Sequence, residues 1–209
     1  MTPLAANVAW YIERAGGFSA FGLLTLGTLL GLALSGRVRS TAWPRFAIED
    51  VHRFVGLLTG TFVAIHVVTL LADSFMPFSL RQLVVPGTSS YRPLATALGV
   101  VAMELLLALA LTNRLRGAVP YGFWRRAHYL NFGVWLLALV HGLMAGSDTR
   151  AAWALAPYAL AAGSVAGLTA WRVLRLHPSG EWALRLWPAA AAVTVAELTV
   201  ALALSPFRH

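Results

Sequence analysis

Val51-His-Arg-Phe-Val-Gly-Leu-Leu-Thr-Gly-Thr-Phe-Val-Ala-Ile-His66 is an apolar stretch that opens on one histidine and carries another fourteen residues later. A second stretch, His128-Tyr-Leu-Asn-Phe-Gly-Val-Trp-Leu-Leu-Ala-Leu-Val-His141, repeats the plan at a spacing of thirteen. A helix rises about 1.5 Å per residue, so each pair of histidines is separated by roughly 20 Å along its axis. In a bilayer core about 30 Å thick, one histidine of each pair falls near one face and the other near the opposite face. Two such helices facing each other bring four imidazoles together as two cross-helix pairs.

The rest of the composition agrees with a membrane setting. The 209 residues are 58% apolar and 11% charged, with a mean hydropathy of +0.70, too little polar surface for a water-soluble globule. Several apolar runs approach twenty residues, the length of a transmembrane helix. Cysteine is absent, which excludes disulfides, zinc–thiolate sites and iron–sulfur clusters. The formal charge is +8 and every basic residue is arginine. Because these arginines lie between apolar runs, membrane topology and anionic groups explain them better than nucleic acid does. The amino terminus lacks the basic start of a cleaved signal peptide and is expected to be retained.

Six spans are expected: Gly17 to Ser35 (with helix from as early as Val8), then 51–73, 94–112, 126–146, 152–174 and 182–204, forming one all-α integral membrane bundle over 1–209. Arg37, Arg39, Arg45, Arg53, Arg114, Arg116, Arg125, Arg126, Arg172, Arg175 and Arg185 fall on one side. Only Arg14, Arg81, Arg92, Arg150 and Arg208 fall on the other. The excess of positive charge marks the first side as cytoplasmic and puts both termini outside, as in a bacterial-type inner membrane. His52 and His128 then share the cytoplasmic depth, and His66 and His141 share the outer depth. The outer connection around Phe75 to Pro86 reads as an amphipathic interfacial segment, either covering an outer cofactor or only shortening a loop.

Burying ionisable groups in lipid is costly, so each histidine needs a partner. A bare zinc or copper ion gathers its ligands at one depth. Two level pairs far apart along the membrane normal suit two bis-histidyl hemes, His52 with His128 and His66 with His141, held between the second and fourth spans. The competing readings are histidines satisfied by packing and a metal-ion path. Gly56, one turn after His52, and Gly60 open either a porphyrin slot or a small-residue helix contact, and Gly133 can serve likewise. Arg14 and Arg53 are candidates to pair with heme carboxylates, while Arg53 also suits a topological anchor. At about 100° per residue, His52 and His66 lie some 40° apart around an ideal helix, but His128 and His141 near 140°. The fourth span is therefore expected to be distorted, with Asn131 and Gly133 as the places. Glu104 and Glu197, deep in spans three and six, either pack in protonated form within the bundle or line a polar path. Trp124 and Tyr121 read as interfacial anchors, and His177 and His209 as exposed.

At these residues the chain resembles the ferric-reductase-like transmembrane domain family, which includes NADPH oxidases, metalloreductases and the heme-binding membrane subunit of bacterial methionine sulfoxide reductase systems. The matching text is Trp10-x3-Arg14-x-Gly16, His52-Arg53-x2-Gly56 and Ile65-His66. It continues with Pro86-x4-Tyr91-Arg92-Pro93-Leu94, Leu98-Gly99, Trp124-Arg125-x2-His128-Tyr129-Leu130 and His141-Gly142-x3-Gly146-x-Asp148. The resemblance covers about residues 10–175, and its most specific part is the fourteen-and-thirteen histidine spacing. It implies bis-histidyl b-type hemes on His52, His66, His128 and His141, with electrons passing from the cytoplasmic to the outer heme.

Larger members of that family continue after the fifth span into a cytoplasmic flavin and nicotinamide domain, whereas here a short turn leads to the sixth span. The expected donor is a separate reductase, a quinol or a membrane flavoprotein, with a flavin or quinone docking on the cytoplasmic side. The acceptor is an outer-side redox partner. The sequence thus points to a lipid-embedded di-heme b-type cytochrome, the electron-transfer subunit of a reductase system. A mono-heme subunit linked to quinone or flavin, or a heme-free metal-ion transporter, is the alternative.

Overall fold

The computed structural model describes residues 3–36, 43–74, 76–149 and 151–176. Among them there are seven helices and no strand: α1 Pro3–Ser35, α2 Arg45–Ala72, α3 Leu80–Val84, α4 Pro93–Arg114, α5 Tyr121–Tyr129, α6 Asn131–Ala145 and α7 Ala152–Leu176. Among the described residues five segments are long and apolar enough to cross a membrane: Val8–Ser35, Arg45–Ala72, Pro93–Arg114, Tyr121–Ala145 (α5 with α6) and Ala152–Leu174. The chain is a multi-pass helical membrane protein, because only helices satisfy every backbone group internally in lipid without closing a barrel. The expected sixth span, 182–204, lies outside the described residues, as do Glu197, His177 and His209.

The chain divides into two compact units. The first comprises Met1–Phe21 and Leu57–Ala145. Its centre is the packing of α4 on α6, where Ala95, Val100, Ala102 and Leu109 are buried, as are Val134, Trp135, Leu139 and Leu143. Phe21 stacks on Trp135 with ring centres 6.3 Å apart. The start of α4 is tied to the end of α6. The Tyr91 hydroxyl donates to the Ala145 carbonyl at 2.9 Å and the Arg92 guanidinium to the Met144 carbonyl at 2.6 Å. Those carbonyls belong to the last turn of α6 and have no helical partner of their own. Arg92 reaches them from a left-handed backbone conformation (φ 38°) just before Pro93 starts α4.

The second unit comprises Gly22–Gly56 and Gly146–His209. Here α7 buries Ala154, Ala161, Ala162, Val165 and Ala166 together with the larger Tyr158, the alanines being of a size that lets helices approach closely in lipid. Leu32 of α1 and Val55 of α2 are also buried in this unit.

The fourth span is interrupted, and the break falls at Leu130, one residue before the Asn131 expected from helical arithmetic. The Leu130 amide turns back to the Ala127 carbonyl at 2.9 Å, a three-residue return that locally overwinds the helix. The side-chain amide of Asn131 donates to the His128 carbonyl at 2.8 Å and satisfies a group at the break. Gly133 meets nothing within 4 Å of where a Cβ would stand. In the connection between α2 and α4, among the described residues 76–86, only Leu80–Val84 is helical, started by a capping box between Ser79 and Gln82.

Asn131→Ala removes this side-chain cap at the break. The expected loss of stability is about 1 kcal/mol, read by thermal unfolding of the detergent-solubilised protein. An unchanged midpoint would mean that the His128 carbonyl finds another donor.

Candidate functional site: a histidine pair clamped by glycines

His66 on α2 and His141 on α6 both belong to the first unit, with ring centres 6.5 Å apart and planes inclined at 73°. Each ring is held from behind by a backbone carbonyl of another helix. Nδ1–H of His66 donates to the Glu13 carbonyl of α1 at 2.8 Å, and Nδ1–H of His141 to the Ala95 carbonyl of α4 at 2.8 Å. A carbonyl can only accept, so these bonds place the ring proton on Nδ1. The lone pair of a neutral imidazole is then on Nε2, the tautomer that a metal-binding histidine adopts when its other nitrogen is bonded outward.

A glycine makes each bond possible. Gly17 lies one turn after Glu13, and a Cβ there would stand 3.2 Å from Cε1 and Nδ1 of His66. Gly99 lies one turn after Ala95, and its Cβ would stand 2.6 Å from the same two atoms of His141, closer than any side chain permits. In the second unit His52 follows the plan more loosely. Its ring approaches the backbone of Gly27, and a Cβ on Gly31, one turn on, would meet its Cε1 at 3.5 Å. Carbonyl, glycine four residues later, and imidazole across the helix interface thus recur twice, at His66 and His141, and His52 shares the glycine approach alone.

His128 is set differently. Trp124 stacks on it at 5.3 Å and 18°, and the Asn131 amide approaches its Nδ1 at 3.4 Å. His128 belongs to the first unit and His52 to the second. Of the other expected site residues, Arg14 places its guanidinium 4.3 Å over the Trp10 ring. Arg53 pairs with Asp50 at 3.3 Å, both of them exposed, the geometry of a surface ion pair. Gly56 and Gly60 border open space. Glu104 is exposed on α4.

The separation of His66 and His141 can be compared with that of an axial ligand pair. Two metal–nitrogen bonds of about 2.0 Å, each extended by the roughly 1.1 Å from a ring nitrogen to its ring centre, give about 6.2 Å. The observed 6.5 Å fits. Two imidazoles packed edge to face would also fit this distance; the orientation of both Nδ1 protons outward is what favours ligation. Among the described residues no three His, Cys, Asp or Glu side chains converge to hold a bare metal ion.

Gly17 and Gly31, the clamps of His66 and His52, are not evident from composition, yet the sequence does carry a signal for them. They are fourteen residues apart, as are His52 and His66, in the reversed order that antiparallel helices require. Gly99 has no such signal.

Alanine at these glycines is expected to act with opposite signs. Gly99→Ala forces the His141 ring to move and costs about 1–3 kcal/mol. Gly31→Ala finds ordinary contact distance and is neutral or stabilising by up to about 1 kcal/mol through helix propensity, with Gly17→Ala between them. Thermal unfolding of the three variants reads the order, and equal effects would refute the clamp. Comparison of the chain with family models, curated proteins and solved structures gives no match.

Proposed function

We propose that the protein is a b-type cytochrome of the membrane, with His66 and His141 as axial ligands of one heme. The observation that carries this reading is the pair of Nδ1-anchored imidazoles at 6.5 Å. Their carbonyl bonds fix the tautomer and restrain ring rotation. When bound, heme supplies one-electron chemistry between ferric and ferrous iron, and with both axial positions filled it suits electron transfer better than ligand binding. Glu13 and Ala95 act through their backbones, Gly17 and Gly99 by absence of a side chain, and Arg14 is the cation on α1 suited to a heme carboxylate. Stacking on Trp10 orients its guanidinium.

A second heme on His52 and His128 rests on their spacing in the sequence, and completes a path between the two faces of the membrane. Electrons then enter from a cytoplasmic-side donor (a separate reductase, quinol or flavoprotein) and leave to an outer-side acceptor. The arginine distribution supports that orientation, with both termini outside, and a bacterial-type inner membrane as the location. The mono-heme alternative is favoured by one observation: among the described residues only His66 and His141 form a close histidine pair within one unit.

A dithionite-reduced-minus-oxidised spectrum with heme quantified per chain tests both readings. The expected result is a low-spin b-type spectrum and about two hemes per chain. His66→Ala and His141→Ala should each remove the same one, and His52→Ala the other. One heme in the parent protein, lost only with His66 or His141, would establish the mono-heme form. No heme after expression with adequate supply would defeat the proposal.

A further inference from the structure

Glu104 occupies the middle of α4, eleven residues after Pro93 and ten before Arg114. At about 1.5 Å per residue that is some 15 Å from either end, the midplane of a bilayer core. The residue is exposed, and no hydrogen bond to its carboxyl group is present among the described residues. At about 100° per residue it lies 180° around the helix from Ala95, whose carbonyl receives His141 of α6. Lipid chains offer a carboxyl group no partner, so its position there needs another occupant.

The residues around it specify what that occupant is. Leu94, Ala97, Val101, Glu104, Ala108, Leu111 and Leu115 recur at alternating steps of three and four, the seam of a left-handed helix pair. Leu94, Val101, Leu111 and Leu115 are 64%, 37%, 58% and 48% exposed. The alanines on either side of Glu104 let a second helix approach closely, and a single polar residue in such a seam fixes register and partner number. A protonated carboxyl is both donor and acceptor, so it pairs with its own copy, which a basic side chain cannot do. A two-fold axis along the membrane normal brings every seam residue to its counterpart at the same depth.

We infer that the exposed α4 seam is a homodimer interface, in which a second copy of this chain covers Leu94 to Leu115 and the two Glu104 carboxyl groups hydrogen-bond at the membrane midplane. The proposal is independent of heme.

The absence of cysteine makes the test direct. Ala108→Cys and Val101→Cys, oxidised in native membranes, should each give a disulfide-linked dimer, while Leu160→Cys, 71% exposed on α7, should not. Adding Glu104→Leu to Ala108→Cys should lower the cross-linked fraction about threefold or more, whereas Glu104→Gln, also self-complementary, should preserve it. No dimer at either seam position, equal cross-linking at Leu160, a product with a different polypeptide, or indifference to Glu104→Leu would each overturn the proposal. Heme measured on the same membranes separates this result from the cytochrome reading.

Discussion

The hydrogen bond from a histidine Nδ1 to a main-chain carbonyl of a neighbouring helix is the interaction on which this site depends. It satisfies a polar group that would be costly to leave unmet in an apolar interior. It fixes the tautomer, and it sets the distance between helices, because the ring must reach the carbonyl past the next turn. Only glycine one turn on leaves that path open. At Gly99 a Cβ would stand 2.6 Å from the ring, which would have to shift; at Gly31, 3.5 Å leaves ordinary contact. The same device therefore holds the His141 ring more tightly than the His66 ring, where a Cβ on Gly17 would stand at 3.2 Å.

Further contacts hold the His141 end of the first unit in place. His141 stands one turn before the end of α6, where helices fray because their last carbonyls lack partners. Tyr91 and Arg92 take up two of those carbonyls, from Ala145 and Met144, and so tie the turn that carries His141 to the start of the helix that clamps it. Arg92 adopts a left-handed backbone to do this, a conformation that a bulky residue occupies only when its surroundings compensate for the strain. The break at Leu130 separates the short, arginine-bearing helix that carries His128 from the apolar one that carries His141.

Lipid solvation reverses the usual reading of burial. Exposed leucines and valines on α4 are ordinary in a bilayer; a carboxyl group among them is not. Exposure singles out Glu104 in a way that its place in the sequence does not. By sequence, it could equally have faced the interior of the bundle.

What the sequence determined by itself is the part governed by one-dimensional spacing. Apolar run length places the five spans among the described residues, and the thirteen-residue gap between His128 and His141 points to a break in the fourth, because 3.6 residues per turn cannot bring both to one face. Run length does not delimit the ends: α1 and α2 begin well before their apolar cores, since polar residues extend a helix once it is started. Tertiary structure alone decided the rest. Which carbonyl accepts the Nδ1 of His66 and of His141, that Gly99 abuts the His141 ring while Gly56 borders open space, that Arg53 turns to Asp50 and Arg14 to Trp10, and that Glu104 is exposed are matters of helix rotation and register. A difference of one residue in register rotates a helical side chain by about 100°, and no pattern in a single chain fixes that angle until two helices are packed together.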